Sequence, residues 1–278
     1  MKWAFLLAFL AQILHKMNSI PDPFFTLFTK PIPIEIIPSK FALMLGNEPH
    51  LLCKMAANQL QHHLENQEEW NHNFGLESEN KGTVIGKMFG VLVVKNLQNE
   101  IGYLSAFSGK LAGGNHHAKF VPPVFDLLTH NSFLNNGMIE LSRINQEIRL
   151  LKVKKPLAFE QQIIHLKALR KSNSIALQLQ IFENYYFVNE AGKEENILAV
   201  FKNALYKNPP AGAGECAAPK LLQYAFKNQM KPLAIAEFWW GLSPKSKQWK
   251  HGSFYACCKE KCEPILAHML AETIHEIK

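Results

Sequence analysis

Three cysteines form the clearest candidate for a chemically functional site in this sequence. The sequence has 5 cysteines among 278 residues, and three of them fall within positions 257–262. Thiolates are good zinc ligands, and three protein ligands leave a fourth position for solvent. We therefore predict a zinc site formed by Cys216, Cys258 and Cys262. The alternative is that these cysteines are small buried apolar residues, which is the interpretation we adopt for Cys53.

The segments around these cysteines predict how they meet. A helix is expected over 216–228, a strand over 231–240, and a closing helix over 258–277. Cysteines at both helix starts would be favoured as thiolates by the helix dipole. An odd, clustered set of cysteines is not typical of a secreted disulfide framework, so we expect a reducing, cytoplasmic location.

A basic loop between the strand and the closing helix predicts contact with RNA. The chain has a net charge of +7 and a pI near 9.1, which favours acidic partners. Lysine supplies most of this charge, so RNA binding would be largely electrostatic and sensitive to salt. Strand alternation places Phe238 and Trp240 in the core and leaves Trp239 more exposed. The candidate RNA-binding residues are Lys245, Lys247, Trp249, Lys250 and His251.

The remaining sequence indicates an α/β (mixed α+β) fold, with a small sheet flanked by helices. A helix is predicted over 50–70, a β-hairpin over 88–94 and 101–107, and a helical insertion over about 138–187. Residues 1–34 read as a disordered or extended lead-in, and 35–278 as one domain. The apolar run at 3–14 resembles the apolar region of a signal peptide, but it is too short to span a membrane and no cleavage site follows it. We therefore favour a mis-set start or a disordered leader over a working signal peptide. The lead-in or a partner is expected to complete the sheet.

Five strings of this sequence form an unusual combination: residues 90–95 (GVLVVK), 101–113 (IGYLSAFSGKLAG), 212–225 (GAGECAAPKLLQYA), 236–241 (AEFWWG) and 258–266 (CKEKCEPIL). Together they resemble one family, the N-terminal accessory region that precedes the catalytic domain in some RluA-type RNA pseudouridine synthases. The resemblance covers roughly residues 35–272. It implies ribosomal or transfer RNA as partner, and no membrane association.

The catalytic motif of those synthases is absent from this chain. They use an aspartate in an Arg-Leu-Asp context, whereas the aspartates of this sequence are Asp22 and Asp126, neither in that context. The resemblance therefore implies no catalytic residue here. It implies that the synthase domain was lost, that it is encoded separately, or that the gene is split. A separately encoded synthase domain is a candidate partner.

The cysteine-bearing helices also resemble zinc-dependent nucleobase deaminases, so a deaminase-like core is expected. In those enzymes a ligand opens one helix and a Cys-x-x-Cys pair opens the next, with a proton-transferring glutamate two residues after the first ligand. Here that position is Ala218, and Cys258 and Cys262 are separated by three residues rather than two.

Three functions remain open at this point. The first is a non-catalytic RNA-binding or substrate-positioning module for pseudouridine formation. The second is a zinc-dependent, deaminase-like enzyme. The third is a structural or interaction module.

Overall fold

A mixed β-sheet forms the centre of the molecule. The computed structural model describes residues 21–43, 48–76, 82–126, 133–154, 158–202, 204, 207–244 and 248–271. The strands are β1 (Thr26–Leu27), β2 (Ala42–Leu43), β3 (Lys87–Lys95), β4 (Ile101–Phe107), β5 (Tyr186–Val188), β6 (Glu194–Asn196), β7 (Lys231–Trp240) and β8 (Phe254–Tyr255). The helices are α1 (Leu51–Asn66), α2 (Phe133–Lys154), α3 (Glu160–Glu183), α4 (Ile197–Lys202), α5 (Ala217–Lys227) and α6 (Glu263–Met269). This arrangement confirms the mixed α/β class.

The main sheet has the strand order β1-β4-β3-β7-β2, and β8 also pairs with β7. The predicted hairpin is confirmed as β3 and β4, which pair antiparallel from Phe89–Phe107 to Lys95–Ile101. Its turn is formed by Asn96, whose side chain accepts the backbone N–H groups of Gln98 and Glu100. Such asparagine turns fold locally, so the hairpin could be predicted from sequence.

Short strands from the N-terminal third form both ends of this strand order. β1 pairs antiparallel with β4, and β2 pairs parallel with β7. β1 lies within the predicted lead-in, so part of that segment contributes to the sheet, as expected. Residues 1–20 lie outside the described part of the chain, and the domain boundary near residue 34 stays a prediction.

The two faces of the sheet bury different cores. One face packs against α1 and contains many aromatic side chains. It includes Leu52, Ala56, Leu60, Phe89, Val91, Val93, Phe107, Phe120, Phe238 and Trp240. The other face packs against α5, which α6 contacts in turn, and this second core is mainly aliphatic. It includes Leu92, Leu104, Ala106, Leu221, Leu222, Ala225, Ile235, Ile265, Leu266 and Met269.

The predicted helical insertion is an antiparallel pair, α2 and α3. It begins at Phe133, earlier than predicted, and β5 follows it. The pair has its own small core of Ile144, Ile148, Ile163 and Leu166. None of the helices in the described ranges has the length and apolar character needed to cross a membrane.

The predicted closing helix was wrong at its start, because α6 begins at Glu263 rather than at Cys258. Residues 258–262 form a turn in which the backbone N–H groups of Cys262 and Glu263 both bond to the carbonyl of Cys258. Pro264 lies in the first turn of α6, where its missing N–H costs nothing. The predicted end at 277 lies outside the described residues.

Candidate metal centre

The three predicted ligands lie together in the fold. The Sγ atoms of Cys216, Cys258 and Cys262 are all within 4.8 Å of one another, and those of Cys258 and Cys262 are 3.5 Å apart. Zinc–sulfur bonds of about 2.3 Å place tetrahedral sulfur ligands about 3.8 Å from each other. The spacing and the donor type are therefore compatible with one thiolate-bound metal ion such as zinc.

Two helix starts and one turn position these side chains. Cys216 is the N-cap of α5, and Cys262 is the N-cap of α6. β7 and β8 connect the two helices, so the predicted order of helix, strand and helix is observed. The three-residue spacing of Cys258 and Cys262 does not separate them, because residues four apart in a helical turn lie on the same side.

The thiols of the cluster are strongly coupled in protonation. Hydrogen bonds from Cys216 and then Cys262 hold the pKa of Cys258 far below its usual value. Backbone N–H groups of Lys261 and Cys262 add to this stabilisation. The pKa of Cys216 is raised mainly by its hydrogen bond to Cys258, and the pKa of Cys262 is raised by its hydrogen bonds to Cys216 and Cys258. The lowered pKa favours the thiolate form of Cys258, which is the form that binds zinc.

The other two cysteines lie outside the cluster. Cys53 is fully buried against the aromatic face of the sheet, and burial raises the pKa of its thiol to about 12. This supports its interpretation as a small apolar core residue. Cys257 is half-buried, and burial raises its pKa to about 11.

Glu237 of β7 is a carboxylate buried beside the cluster. It is 7% exposed, and its Oε1 accepts the backbone N–H of Ala218 at 3.1 Å. Burial raises the pKa of Glu237 to about 7, opposed by hydrogen bonds from the start of α5 and reinforced by the charge of Cys258. The charge of Glu237 in turn raises the pKa values of Cys216 and Cys262.

A buried lysine follows Cys216 by one turn of α5. Lys220 is 3% exposed, and its Nζ lies 3.4 Å from a carboxylate oxygen of Glu215. It also donates to the carbonyls of Phe107 and Gly109 at 3.2 and 3.3 Å. Glu215 accepts the hydroxyl of Tyr185 as well. This network joins α5 to the end of β4 and fixes the chain on both sides of Cys216.

Replacing Lys220 with methionine is expected to lower the free energy of unfolding by about 3 kcal/mol, because Glu215 and two carbonyls would lose their partner. Urea denaturation measures the change. The matched control is Lys227→Met on the same helix, whose Nζ lies 3.7 Å from Glu194 with both side chains about half exposed. This control should stay within about 0.5 kcal/mol of wild type. Equal losses in both variants would contradict a special role for Lys220.

The predicted RNA-binding residues are only partly described. Lys245 and Lys247 lie outside the described residues. Trp249 stacks on Trp239, with ring centroids 5.7 Å apart and planes at 19°, and meets Tyr255 edge-on at 4.6 Å. We call Trp239, Trp249 and Tyr255 the aromatic rim. Trp239 and Trp249 are half-buried, whereas Phe238 and Trp240 are buried, as the alternation predicted.

The rim is close to the cysteine cluster along the chain. Tyr255 pairs with Glu237 across β7 and β8, three residues before Cys258. Lys250 is exposed at the rim, and its backbone N–H donates to the Tyr255 hydroxyl at 2.7 Å.

His251 lies elsewhere, against Trp240 on the aromatic face. Its ring centroid is 4.3 Å from that of Trp240, and its Nδ1 accepts the backbone N–H of Gly241 at 3.1 Å. The predicted loop therefore divides between the two faces of the sheet. Its contact with RNA stays a prediction.

Sequence reasoning did not identify Glu237, Lys220 or the carboxylate of Glu215 as parts of this site. A signal was present for the first two, since Glu237 interrupts the apolar run of β7 and Lys220 interrupts that of α5. An ionisable residue within a fully buried segment usually has a partner or a function.

Comparisons with known proteins give no relative for this chain: no family model, curated protein or solved structure matches it.

Proposed function

We propose that this chain binds one zinc ion through Cys216, Cys258 and Cys262 and serves as a non-catalytic accessory module that holds RNA for an RluA-type pseudouridine synthase. The cysteine cluster carries the metal part of this proposal. Three thiols from two helix starts and a turn, all within 4.8 Å, are the donor set that zinc prefers. The resemblance of residues 35–272 carries the link to pseudouridine formation.

RNA binding is supported by the aromatic rim and by charge. Aromatic faces accept unpaired bases by stacking, and nearby lysines neutralise phosphates. Trp239 and Trp249 are half-exposed and Lys250 is exposed in this region. With a net charge of +7, the chain favours a polyanionic partner.

Single-stranded RNA is expected to bind in a salt-dependent manner. For about four phosphate contacts, raising salt from about 50 to 200 mM weakens binding roughly 50-fold. Trp249→Ala should weaken it about tenfold at either salt, because one stacked base is lost. Fluorescence anisotropy of a labelled RNA 12-mer measures both effects. Tyr186→Ala removes an exposed aromatic on β5 and serves as control. Absence of binding at low salt would exclude the RNA-holding role.

The accessory role makes a separate claim about catalysis. The isolated chain should form no pseudouridine in RNA, since it lacks the Arg-Leu-Asp motif. A separately encoded synthase domain is the proposed partner. Adding this chain to such a domain should lower the KM for RNA and leave kcat nearly unchanged, because uniform binding of substrate acts on KM. Pseudouridine formation by the chain alone would contradict the non-catalytic role.

A zinc-dependent, deaminase-like enzyme is the second candidate function. Three protein ligands are the number that catalytic zinc sites use, with the fourth position left for solvent. The buried carboxylate of Glu237 beside the cluster favours this candidate over a purely structural site. Ammonia release from cytosine- or adenine-containing RNA by zinc-loaded protein, lost in a Cys216→Ser variant, would support it. Bound zinc without turnover would favour the accessory module.

A further inference from the structure

Glu237 has an unusual position for a carboxylate. The α5-facing side of β7 is otherwise part of an aliphatic core that includes Ile235. Burying a carboxylate there is costly unless specific partners use its charge. Its side chain shares this face with Gly90 of β3, directly opposite in the ladder.

Gly90 allows the start of α5 to approach Glu237. A Cβ added at Gly90 would lie 2.9 Å from the Cβ of Ala217 and 3.5 Å from the Cγ of Glu237. Since real Cβ atoms do not approach as closely as 2.9 Å, a side chain at position 90 would force the start of α5 to shift, whereas the 3.5 Å distance to Glu237 is an ordinary contact. The absence of a side chain at Gly90 thus brings the helix start and the carboxylate together.

The contact that results is with Ala218, two residues after the first cysteine of the cluster. The Ala218 N–H donates to Glu237 at 3.1 Å, and the Ala217 N–H helps to stabilise the charged form of this carboxylate. A carboxylate offers about four lone-pair positions. The backbone contact therefore leaves capacity on the carboxylate for a further partner.

The other carboxylates near the cluster are either paired or exposed. Glu215 accepts from Tyr185 and pairs with Lys220, whose ammonium also bonds two carbonyls. Glu263 is exposed at the start of α6. Within the described residues, Glu237 is the buried carboxylate of this site.

We propose that Glu237 is the carboxylate that accepts a hydrogen bond from the metal's solvent-derived fourth ligand, in the role that a glutamate at position 218 would have in the deaminase-like motif. This inference rests on the proposed metal site. Position 218 is an alanine and has no carboxylate. Glu237 would place a carboxylate at the same helix start from β7. In a hydrolytic metal site, the Glu237 carboxylate would accept a proton from the metal-bound solvent. In a non-catalytic metal site, its charge would restrict which ligands bind to the metal.

The test uses the full chain loaded with cobalt(II), whose visible absorption reports its ligands, and azide as probe of the fourth position. Glu237→Gln keeps acceptor and size but removes the charge that repels an anion. Azide should therefore bind Glu237→Gln at least about tenfold more tightly than wild type. Glu260→Gln removes an exposed charge from the 258–262 turn and should leave azide affinity within about twofold of wild type.

Unchanged azide affinity in folded Glu237→Gln would overturn the inference, as would an equal gain in Glu260→Gln. If Glu237→Gln fails to fold, Glu237→Asp is used in its place. The shorter side chain moves the negative charge away from the metal, so azide binding should become about threefold stronger. An Asp variant with wild-type affinity would overturn the inference as well. Failure of wild type to take up cobalt would overturn the metal site itself, and this inference with it.

Discussion

Chelating the metal is expected to lower the melting temperature of the chain by roughly 10 °C. A ligand present at about 1,000 times its Kd stabilises the folded state by about 4 kcal/mol. For a chain of this size, 1 kcal/mol corresponds to roughly 2–4 °C. The metal would join α5 to the 258–262 turn and α6, adding strong bonds where the thiols of Cys258 and Cys262 form a weak hydrogen bond of 3.5 Å. Differential scanning calorimetry with and without a strong chelator measures the shift.

The matched control for chelation is the triple variant Cys216→Ser, Cys258→Ser, Cys262→Ser. It should melt near the temperature of the chelated wild type and should not respond to chelator. Chelator should also increase hydrogen exchange mainly in α6, since this short helix begins at a cluster ligand. An identical melting temperature for wild type with and without chelator would contradict a stabilising metal.

Phe89→Ala is expected to lower the free energy of unfolding by about 4 kcal/mol. The Phe89 side chain is fully buried on the aromatic face of the sheet. Its ring centroid lies 5.8–6.5 Å from those of four other phenylalanines: Phe74, Phe107, Phe120 and Phe238. Truncating a buried phenylalanine removes this burial and leaves a cavity, at a cost of about 3–5 kcal/mol. Urea denaturation followed by circular dichroism measures it.

A matched apolar truncation on the surface is Leu179→Ala in α3, where the side chain is 48% exposed. It should cost less than about 1 kcal/mol, because little apolar area leaves contact with the protein. Cobalt uptake should be unchanged in a folded Phe89→Ala variant, since Phe89 faces away from the cysteine cluster. A loss below about 1 kcal/mol for Phe89→Ala would contradict its place at the centre of this core.

The elements that could be predicted from sequence are those whose signals are local. The Asn96 turn defines the β3–β4 hairpin through its own side-chain bonds. The alternation of Phe238, Trp239 and Trp240 indicated which rings are buried. The three cysteines could be grouped because they lie near two predicted helix starts that one strand connects.

The remaining features depend on contacts between distant segments. Glu237 reaches the N–H of Ala218 only because Gly90, far away in sequence, lets α5 approach the sheet. The turn at 258–262 brings its two cysteines together by backbone bonds that a spacing rule for deaminases does not describe. The division of the basic loop between two faces follows from its pairing with the end of β7. Sequence periodicity reports local structure, so it cannot predict contacts between distant segments.

The central claim is that Cys216, Cys258 and Cys262 bind zinc. Its most direct test is the zinc content of protein purified without added metal, measured by inductively coupled plasma mass spectrometry. The matched control is Cys257→Ser, which changes a half-buried cysteine next to the cluster but outside it. We predict about one zinc per chain in wild type and in Cys257→Ser, and none in the folded triple variant at positions 216, 258 and 262. Folded wild-type protein without zinc, or a triple variant that retains it, would contradict the account.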